Sequence, residues 1–241
     1  MSNTLMLLPG LNCDAAVWDP QVQVLCKHTN CVVPAWGVRD TLTSMAQQVL
    51  DEAPTESFSM AGHSMGGRVA LEVMRLAPQR VERVALLSTG THRLADGQAG
   101  EKEKAGRMAL LKIAREEGMR AMAKQWARGM VHPDRLDTPL FSAVLDMLER
   151  GSPQQFAAQI NALLHRPDAG HLLAKIQCPT LVLTGREDSW SGPAQHEVMA
   201  AAISQSHLTI VEHCGHMCTM EEPNAVSDAL VKWLDQPVRL T

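Results

Sequence analysis

Short apolar segments alternate with amphipathic ones over the first 90 residues of the chain. Apolar runs that stop at a glycine, a proline or a polar residue are typical of strands buried on both faces of a sheet, whereas apolar residues that recur every three or four positions are typical of helices. These patterns predict strands over Thr4–Leu8, Cys31–Val33, Phe58–Ala61 and Val84–Leu87, and helices over Ala15–Leu25, Thr41–Ala53 and from Ser64 to Pro78. The alternation predicts an α/β fold with a mostly parallel central sheet and helices on both faces.

Residues 91–175 interrupt this alternation. The segment opens with the charged run Glu101–Lys104 and continues with amphipathic stripes at helical spacing, without a strand pattern. The stripes are Met119, Met122, Ala123, Trp126, Ala127 and Met130; Leu140, Phe141, Val144, Leu145 and Leu148; and Phe156, Ala157, Ile160, Leu163 and Leu164. We expect a helical cap, or lid, at residues 91–175, inserted into a core domain formed by residues 1–90 and 176–241. Position alone leaves open a helical layer that only packs against the core.

Strand and helix patterns return near the C-terminal end of the chain. Pro179–Thr184 and Leu208–Val211 are apolar runs typical of buried strands. Pro193 and Pro223 indicate helix starts, because proline lacks the N–H group that the first turn of a helix leaves unpaired. These elements are expected to complete the core domain.

The composition excludes several classes of protein. A chain of 241 residues with 45% hydrophobic residues can bury a sizeable core, which disordered and small disulfide-rich chains cannot. With 26 acidic and 22 basic residues, the chain lacks the basic surplus that nucleic acid requires. Its six cysteines are sparse, and no apolar run reaches the length of an export signal or a membrane span. We expect a cytoplasmic protein without a nucleic-acid or membrane partner, and its oligomeric state stays open.

The segment Met60–Gly67 contains the pattern G-x-S-x-G between a predicted strand and a predicted helix. This context is that of a nucleophile elbow, a sharp turn that exposes a serine hydroxyl at the edge of a sheet. Because the turn brings the backbone on either side close together, the residues two before and two after the serine must be small, and Gly62 and Gly66 meet this requirement. Ser64 is the candidate nucleophile.

A serine nucleophile needs a histidine as base and a carboxylate that orients the histidine. Asp188 and His216 each follow a predicted strand, in the chain order that this arrangement requires. Glu187 is an alternative acid, but the shorter side chain of Asp188 holds an imidazole more rigidly. His213 precedes the glycine turn and is interpreted as a loop residue. We therefore expect Ser64, Asp188 and His216 to converge.

Acyl transfer also needs hydrogen-bond donors for the negative charge that develops on the carbonyl oxygen. The N–H group of Met65, directly after the serine, is one candidate. The second is the N–H group of Leu11 in the loop after the first strand, where Gly10 permits close approach. The alternative interpretation of that loop is a simple strand-ending turn.

The candidate substrate pocket is defined by position along the chain. Trp190 and Met217 lie next to the candidate acid and base, and Trp126 and Met130 belong to the first stripe of the expected cap. Stripes rich in Met, Leu and Ala favour a largely apolar and adaptable pocket, although such stripes also occur as simple packing. We expect a small-molecule ester or acyl substrate.

Four segments together resemble the α/β-hydrolase fold family, of the esterase, enol-lactonase and C–C hydrolase type with a helical cap. They are LLPGLNCDAAVW, AGHSMGGRVAL, PTLVLTGREDSWSGP and HCGHM. Many members of this family have His-Gly where this chain has Pro9-Gly10. The resemblance implies an α/β-hydrolase fold, and a serine hydrolase that cleaves a carboxylic ester, lactone or related acyl bond through an acyl-enzyme, without a cofactor.

Two other functions use the same pattern and stay open. A lyase of the hydroxynitrile type employs the same three residues, and a small-ligand receptor keeps the pocket without turnover. A serine rather than an aspartate at the elbow argues against dehalogenases and epoxide hydrolases. The clusters Cys214, His216, Cys218 and Cys26, Cys31 lack the two ligand pairs of a zinc site, so no metal is expected.

Overall fold

The computed structural model describes residues 4–238 and contains a six-stranded sheet. Its strands are β1 (Thr4–Leu8), β2 (Asn30–Val32), β3 (Phe58–His63), β4 (Val81–Leu87), β5 (Thr180–Gly185) and β6 (Ser206–Val211). Their spatial order is β2-β1-β3-β4-β5-β6, and each neighbouring pair is parallel. This sheet confirms the predicted α/β class.

Helices occupy most of the remaining chain. The α-helices are α1 (Asp19–Leu25), α2 (Leu42–Glu52), α3 (Met65–Leu76), α4 (Gln98–Glu116), α5 (Met119–Trp126), α6 (Pro139–Glu149), α7 (Pro153–Leu164), α8 (Pro193–Ala202), α9 (Cys218–Glu221) and α10 (Pro223–Leu234). Short 3₁₀ helices cover Ala15–Trp18, Pro78–Arg80, Ala127–Gly129, Pro133–Arg135 and Gly170–Lys175. Each described helix is too short or too polar to cross a membrane.

Both faces of the sheet are buried, and alternate residues of each strand supply the two apolar clusters. Along β1, Met6 and Leu8 belong to one cluster and Leu5 and Leu7 to the other. The first cluster also contains side chains of α2, α3 and α8, and the second contains side chains of α1 and α10. This double coverage explains why the strands are apolar without alternation, and it confirms helices on both faces.

The predicted element boundaries differ from the observed ones where polar residues lie inside an element. Strand β4 begins three residues before the predicted Val84, because Arg83 is buried and donates hydrogen bonds to the carbonyl of Gln236 (2.7 and 3.2 Å). Helix α4 includes the whole charged run that the sequence had indicated only as a charged opening. Its buried residues are Gly100, Leu111 and Ala114, so its apolar stripe is too weak to identify the helix.

Residues 91–175, all of which the structure describes, contain α4 to α7 and no strand. We call them the helical segment. They follow the carboxyl end of β4, and hydrogen bonds fix them to the loop after β1: Asn12 Nδ2 donates to the carbonyl of Leu148 (2.8 Å), and Arg150 Nε contacts Asp14 Oδ2 (2.6 Å). Its assignment as a separate cap domain stays a prediction.

The carboxyl ends of the strands meet at one edge of the sheet. The register pairs Leu8 with Gly62, His63 with Leu87, and Gly185 with Val211. Strand β1 lies between β2 and β3, so the strand order reverses beside β3, and ligands of open α/β sheets bind at such a switch point. The loops that follow these strands therefore share one location.

Candidate active site

Ser64 occupies a strained turn between β3, which ends at His63, and α3, which begins at Met65. Its backbone has φ 55° and ψ −116°, a conformation that residues other than glycine rarely adopt. A Cβ atom at Gly62 would lie 2.3 Å from the carbonyl oxygen of Gly66, and one at Gly66 would lie 2.0 Å from that of Leu8. Both positions of the G-x-S-x-G pattern are therefore restricted to glycine by contact with backbone.

The structure brings Ser64, His216 and Asp188 together in one hydrogen-bonded chain. Ser64 Oγ lies 2.9 Å from His216 Nε2, and His216 Nδ1 lies 2.9 Å from Asp188 Oδ2. An ionised carboxylate can only accept, so Nδ1 carries the proton and donates to Asp188. Nε2 is then free to accept the hydrogen bond of the Ser64 hydroxyl. This protonation state suits removal of the hydroxyl proton.

Asp188 is buried but ionised. Its Oδ1 accepts hydrogen bonds from the N–H groups of Trp190 and Ser191, both at 2.9 Å. Burial raises the pKa of Asp188, but the attraction of His216 and the hydrogen bonds to the carboxylate outweigh it and hold the pKa well below its usual range. A permanent negative charge therefore faces the far side of the imidazole.

The two alternative residues considered in the sequence lie elsewhere. Glu187 Oε2 accepts a hydrogen bond from the N–H of Cys214 at 2.9 Å, so this side chain supports the loop that precedes His216. The ring of His213 packs edge-on against that of His132, with centroids 6.1 Å apart. The structure places neither Glu187 nor His213 in the hydrogen-bonded chain with Ser64.

The loop after β1 lies directly against the serine turn. A Cβ atom built at Gly10 would lie 3.3 Å from Ser64 Cβ, so this loop approaches the serine at van der Waals distance. Among the described residues, the N–H groups of Leu11 and Met65 donate to no acceptor. Both residues line the cavity that contains the Ser64 hydroxyl. Two backbone donors are thus available next to the serine.

Side chains from outside the loop fix its position. Trp36 Nε1 donates to the carbonyl of Pro9 at 3.0 Å, and the N–H of Asn12 donates to Gln159 Oε1 at 2.7 Å. The buried indole of Trp36 provides local support for the Pro9-Gly10 turn. The sequence did not identify Trp36 or Gln159, because both lie far from the loop along the chain.

The loop that carries His216 is held by the helical segment. The carbonyl of Met130 accepts hydrogen bonds from the N–H groups of His216 (2.7 Å) and Met217 (3.1 Å). The sequence predicted Met130 and Met217 as pocket residues. Their side chains are buried and line only a recess of about 20 Å³ beside Ser64. Their main contribution to the site is therefore the backbone hydrogen bond that positions the loop of His216.

The carboxylate of Glu221 binds backbone N–H groups of both the helical segment and the loop that carries His216. Its Oε2 accepts from the N–H groups of His132 (2.6 Å) and Gly215 (3.1 Å), and its Oε1 accepts from that of Met217 (3.0 Å). Burial raises the pKa of Glu221, although the three N–H donors act in the opposite direction. A single buried carboxylate therefore joins the helical segment to the loop of the candidate base.

His63 supports the same loop from beneath. Its Nε2–H donates to the carbonyl of His216 at 2.8 Å, and the two rings lie 5.3 Å apart between centroids. Burial, followed by the nearby charge of His216, lowers the pKa of His63 to about 4. This hydrogen bond gives His63 a positioning role, which the sequence pattern could not indicate.

A cavity of about 760 Å³ opens in front of the Ser64 hydroxyl. Trp126 and Trp190, two of the predicted pocket residues, line it with stacked rings whose centroids lie 5.9 Å apart, and Trp190 packs at 4.9 Å from the ring of His216. The lining also includes charged side chains, which the sequence did not identify as pocket residues. These are Arg68, Lys102, Glu103, Arg107 and Arg166.

Other nucleophiles and metal ligands near the site are limited. Burial raises the pKa values of Cys13 and Cys218 to about 12, so both thiols are protonated and weakly reactive. Within residues 4–238, no three His, Cys, Asp or Glu side chains form a group that could hold a metal ion. The Ser64 hydroxyl is the nucleophile that the geometry favours.

Comparisons with known proteins agree with this architecture. The sequence profile described as "Alpha/beta hydrolase family" matches residues 5–229. A curated relative, 2-hydroxy-6-oxononadienedioate/2-hydroxy-6-oxononatrienedioate hydrolase 1 of Pseudomonas putida, is 26% identical over 251 aligned positions, which cover 96% of this chain and 87% of the relative.

Solved structures superpose over nearly the whole chain. A thermophilic esterase from Thermogutta terrifontis, in a malate-bound structure, matches with a TM-score of 0.85 and 25% identity, covering 97% of this chain and 90% of the esterase. The enol-lactonase from Burkholderia xenovorans matches with a TM-score of 0.83 and 23% identity, covering 98% and 92% of the two chains. These likenesses confirm the predicted fold.

Replacing Glu221 by leucine is expected to lower the free energy of unfolding by about 3 kcal/mol or more, because three buried N–H groups lose their acceptor while the side-chain volume is kept. Urea denaturation at pH 7 measures the change. Glu116→Leu, at the exposed end of α4, is the matched control and should change stability by less than about 0.5 kcal/mol. Equal losses in the two variants would refute a stabilising role for the Glu221 hydrogen bonds.

The pKa of His63 predicts a loss of stability in acid. An unfolded chain takes up a proton on this ring below its ordinary pKa of 6.5, whereas the folded protein does so only near 4. The free energy of unfolding should therefore fall by about 3 kcal/mol from this group as the pH drops between these values. His63→Gln keeps an N–H donor but does not titrate. Between pH 7 and 4.5, the free energy of unfolding of this variant, measured by urea denaturation, should fall by about 2 kcal/mol less than that of the wild type. Equal losses in the two proteins would contradict a lowered pKa of His63.

Proposed function

This chain belongs to the alpha/beta hydrolase family, and we propose that it is a serine hydrolase that cleaves a carboxylic ester, lactone or related acyl bond through an acyl-enzyme. The observation that carries the proposal is the chain of two 2.9 Å hydrogen bonds from Ser64 through His216 to Asp188. A serine hydroxyl is a weak nucleophile alone, and it becomes effective when a positioned imidazole can take its proton. The cavity in front of Ser64 provides the space for an acyl substrate.

Acylation follows from the positions of these groups. His216 Nε2 accepts the proton of Ser64 as Oγ attacks the carbonyl carbon, and Asp188 stabilises the imidazolium that forms. The carbonyl oxygen becomes negatively charged in this step, and the N–H groups of Leu11 and Met65 donate hydrogen bonds to it. The intermediate then expels the alcohol, which receives its proton from His216. The products of this step are an alcohol and an ester of Ser64.

Deacylation reverses the roles with water in place of the alcohol. His216, neutral again, takes a proton from a water molecule that attacks the acyl carbon, and the same two N–H groups bind the oxyanion. Collapse of the second intermediate returns the proton from His216 to Ser64 Oγ and releases the carboxylic acid. The cycle consumes one water and needs no further reactant, so protein groups alone carry it.

The backbone of Ser64 supports turnover rather than simple ligand binding. Its strained conformation costs on the order of 1–3 kcal/mol, and a binding pocket would gain nothing from it. The same turn points the start of α3 at the serine, where the helix dipole favours negative charge. The likeness to the esterase from Thermogutta terrifontis, 25% identical to this chain, supports an ester as one candidate acyl substrate.

Replacement of Ser64 by alanine tests the proposal. With a short-chain 4-nitrophenyl ester as substrate, Ser64→Ala should reduce kcat by roughly 10⁴–10⁶-fold, because removal of one member of such a triad disables the whole unit. Ser57→Ala, whose hydroxyl bonds Glu82 before β3, is the control and should keep the wild-type rate. Steady-state release of 4-nitrophenol measures both. A Ser64→Ala rate close to that of the wild type would exclude Ser64 as the nucleophile.

The covalent intermediate gives a second test. Rapid acid quenching of the wild type during turnover, followed by intact-protein mass spectrometry, should reveal the added mass of the acyl group, located on Ser64 by peptide mapping. The Ser64→Ala protein should show none. Turnover without any acylated protein would favour a mechanism of the lyase type, and the absence of turnover beyond one equivalent would favour a receptor.

A further inference from the structure

The cavity in front of Ser64 carries an excess of positive charge. Three arginines and a lysine line it, and Glu103 is the carboxylate in its lining: the cations are Arg68, Lys102, Arg107 and Arg166. The whole chain is acidic, with a formal net charge of −4, so this concentration of cations runs against the overall balance. A surplus of cations inside a cavity raises the local concentration of anions.

Glu103 is already shared by two of the arginines. Arg166 Nη1 and Nη2 donate to its two oxygens at 2.8 and 2.9 Å, and Arg107 Nε donates to Oε1 at 3.0 Å. Both oxygens of the carboxylate are therefore occupied. The single negative charge of Glu103 is shared by two guanidinium groups, so it does not neutralise Arg68 and Lys102.

Arg68 forms no ion pair with a carboxylate among the described residues, and of the two unpaired cations of the lining it is the less exposed. Its Nη1 donates to the carbonyl of His92 at 2.9 Å, a carbonyl that also accepts from Arg166 Nε at 3.0 Å. In the described part of the chain, no carboxylate forms an ion pair with Arg68 or Lys102 within 4.0 Å. Burial, and then the charges of Arg166 and Arg107, lower the pKa of Arg68 to about 9. The side chain of Arg68 is half-buried, and the more distant charges of Glu103 and Asp168 act on it without forming an ion pair. A partly desolvated cation in this position favours a ligand that supplies a paired negative charge.

Arg68 is positioned to act on the same substrate as Ser64. It lies four residues after Ser64 in α3, which places its Cα about one helical turn, or roughly 6 Å, further along the helix axis. Its side chain lines the cavity that also contains the Ser64 hydroxyl and His216. The lining includes Leu110 and Phe156, which suit contact with aliphatic carbons. One small molecule can therefore reach the serine and the guanidinium at once.

We propose that the substrate bears a carboxylate in addition to the acyl bond that is cleaved, and that Arg68 binds this carboxylate. The planar fork of a guanidinium matches the two oxygens of a carboxylate, and Lys102, exposed on α4, adds attraction at the cavity entrance. The substrate class rests on the proposed serine hydrolase function. It restricts that function to esters or lactones of acids with a second, negatively charged group.

Two pairs of esters, each matched in shape but differing in charge, test the proposal. The first pair is the 4-nitrophenyl monoester of adipic acid and 4-nitrophenyl 6-methylheptanoate, in which an isopropyl group replaces the carboxylate on the acyl side. The second pair is 3-carboxyphenyl hexanoate and 3-acetylphenyl hexanoate, with the charge on the leaving group. The wild-type kcat/KM should favour the anionic member of one pair by at least about tenfold, and that pair identifies the side of the scissile bond on which the carboxylate lies.

Substitution of Arg68 should remove this preference. Arg68→Met should lower the ratio of anionic to neutral kcat/KM by about 10–100-fold, the loss expected for a hydrogen bond between charged groups. Arg68→Lys should restore part of the ratio. Arg75→Gln is the matched control, since Arg75 lies on the same helix, outside the cavity, in an ion pair with Glu72, and it should leave both rates unchanged.

The outcomes separate this proposal from the proposed function. Ser64-dependent turnover with a ratio near one in both pairs, or a ratio that Arg68→Met does not change, would overturn the carboxylate site and leave the serine hydrolase standing. Absence of Ser64-dependent turnover would overturn the hydrolase. Binding then decides the carboxylate site: by calorimetry, Ser64→Ala protein should bind adipate at least tenfold more tightly than 1,6-hexanediol, with the difference lost on adding Arg68→Met. Equal affinities, or no binding of adipate, would overturn it.

Discussion

The hydrogen bond between Asp188 and His216 requires that the loops around it be placed accurately. It joins the ends of β5 and β6 in the interior of the protein, and Nε2 then accepts from Ser64 at the end of β3. A hydrogen bond tolerates errors of only a few tenths of an ångström. The parallel sheet supplies most of this accuracy, because its register aligns the carboxyl ends of neighbouring strands. The remaining accuracy comes from polar groups that fix each loop.

Those polar groups come from several parts of the fold, and most of them act on backbone. Asp188 is held by two N–H groups of its own loop, the loop after β1 by Trp36 and Gln159, and the loop of His216 by His63 and Glu221. Such contacts leave side chains of the site free to face the cavity. The precision of the site therefore depends on residues that have no chemical role in it.

The sequence predicted what local patterns encode. The strands are continuous apolar runs, and Ser64, Asp188 and His216 each sit in a short pattern just past a strand, so their meeting could be predicted. Glu221 and His63 could not be identified as supports, because their partners are backbone groups, which leave no trace in residue type. The charged residues of α4 were visible in the sequence only as a charged run. Their place in the lining of the cavity depends on the ion pair of Glu103 with Arg166, which lies 63 residues away along the chain.

The double hydrogen bond at the carbonyl of Met130 has a consequence for how the cavity can be entered. Because this carbonyl holds the backbone of His216 and Met217, residues around 130 cannot swing away from the core without unseating the imidazole. A movement of the wall that widens the cavity without disturbing His216 is therefore confined to parts that are not anchored to that loop. The opposite rim of the cavity is formed by the first turns of α4, for which no hydrogen bond to the His216 loop is observed among the described residues. A displacement of that rim would leave the imidazole of His216 in place.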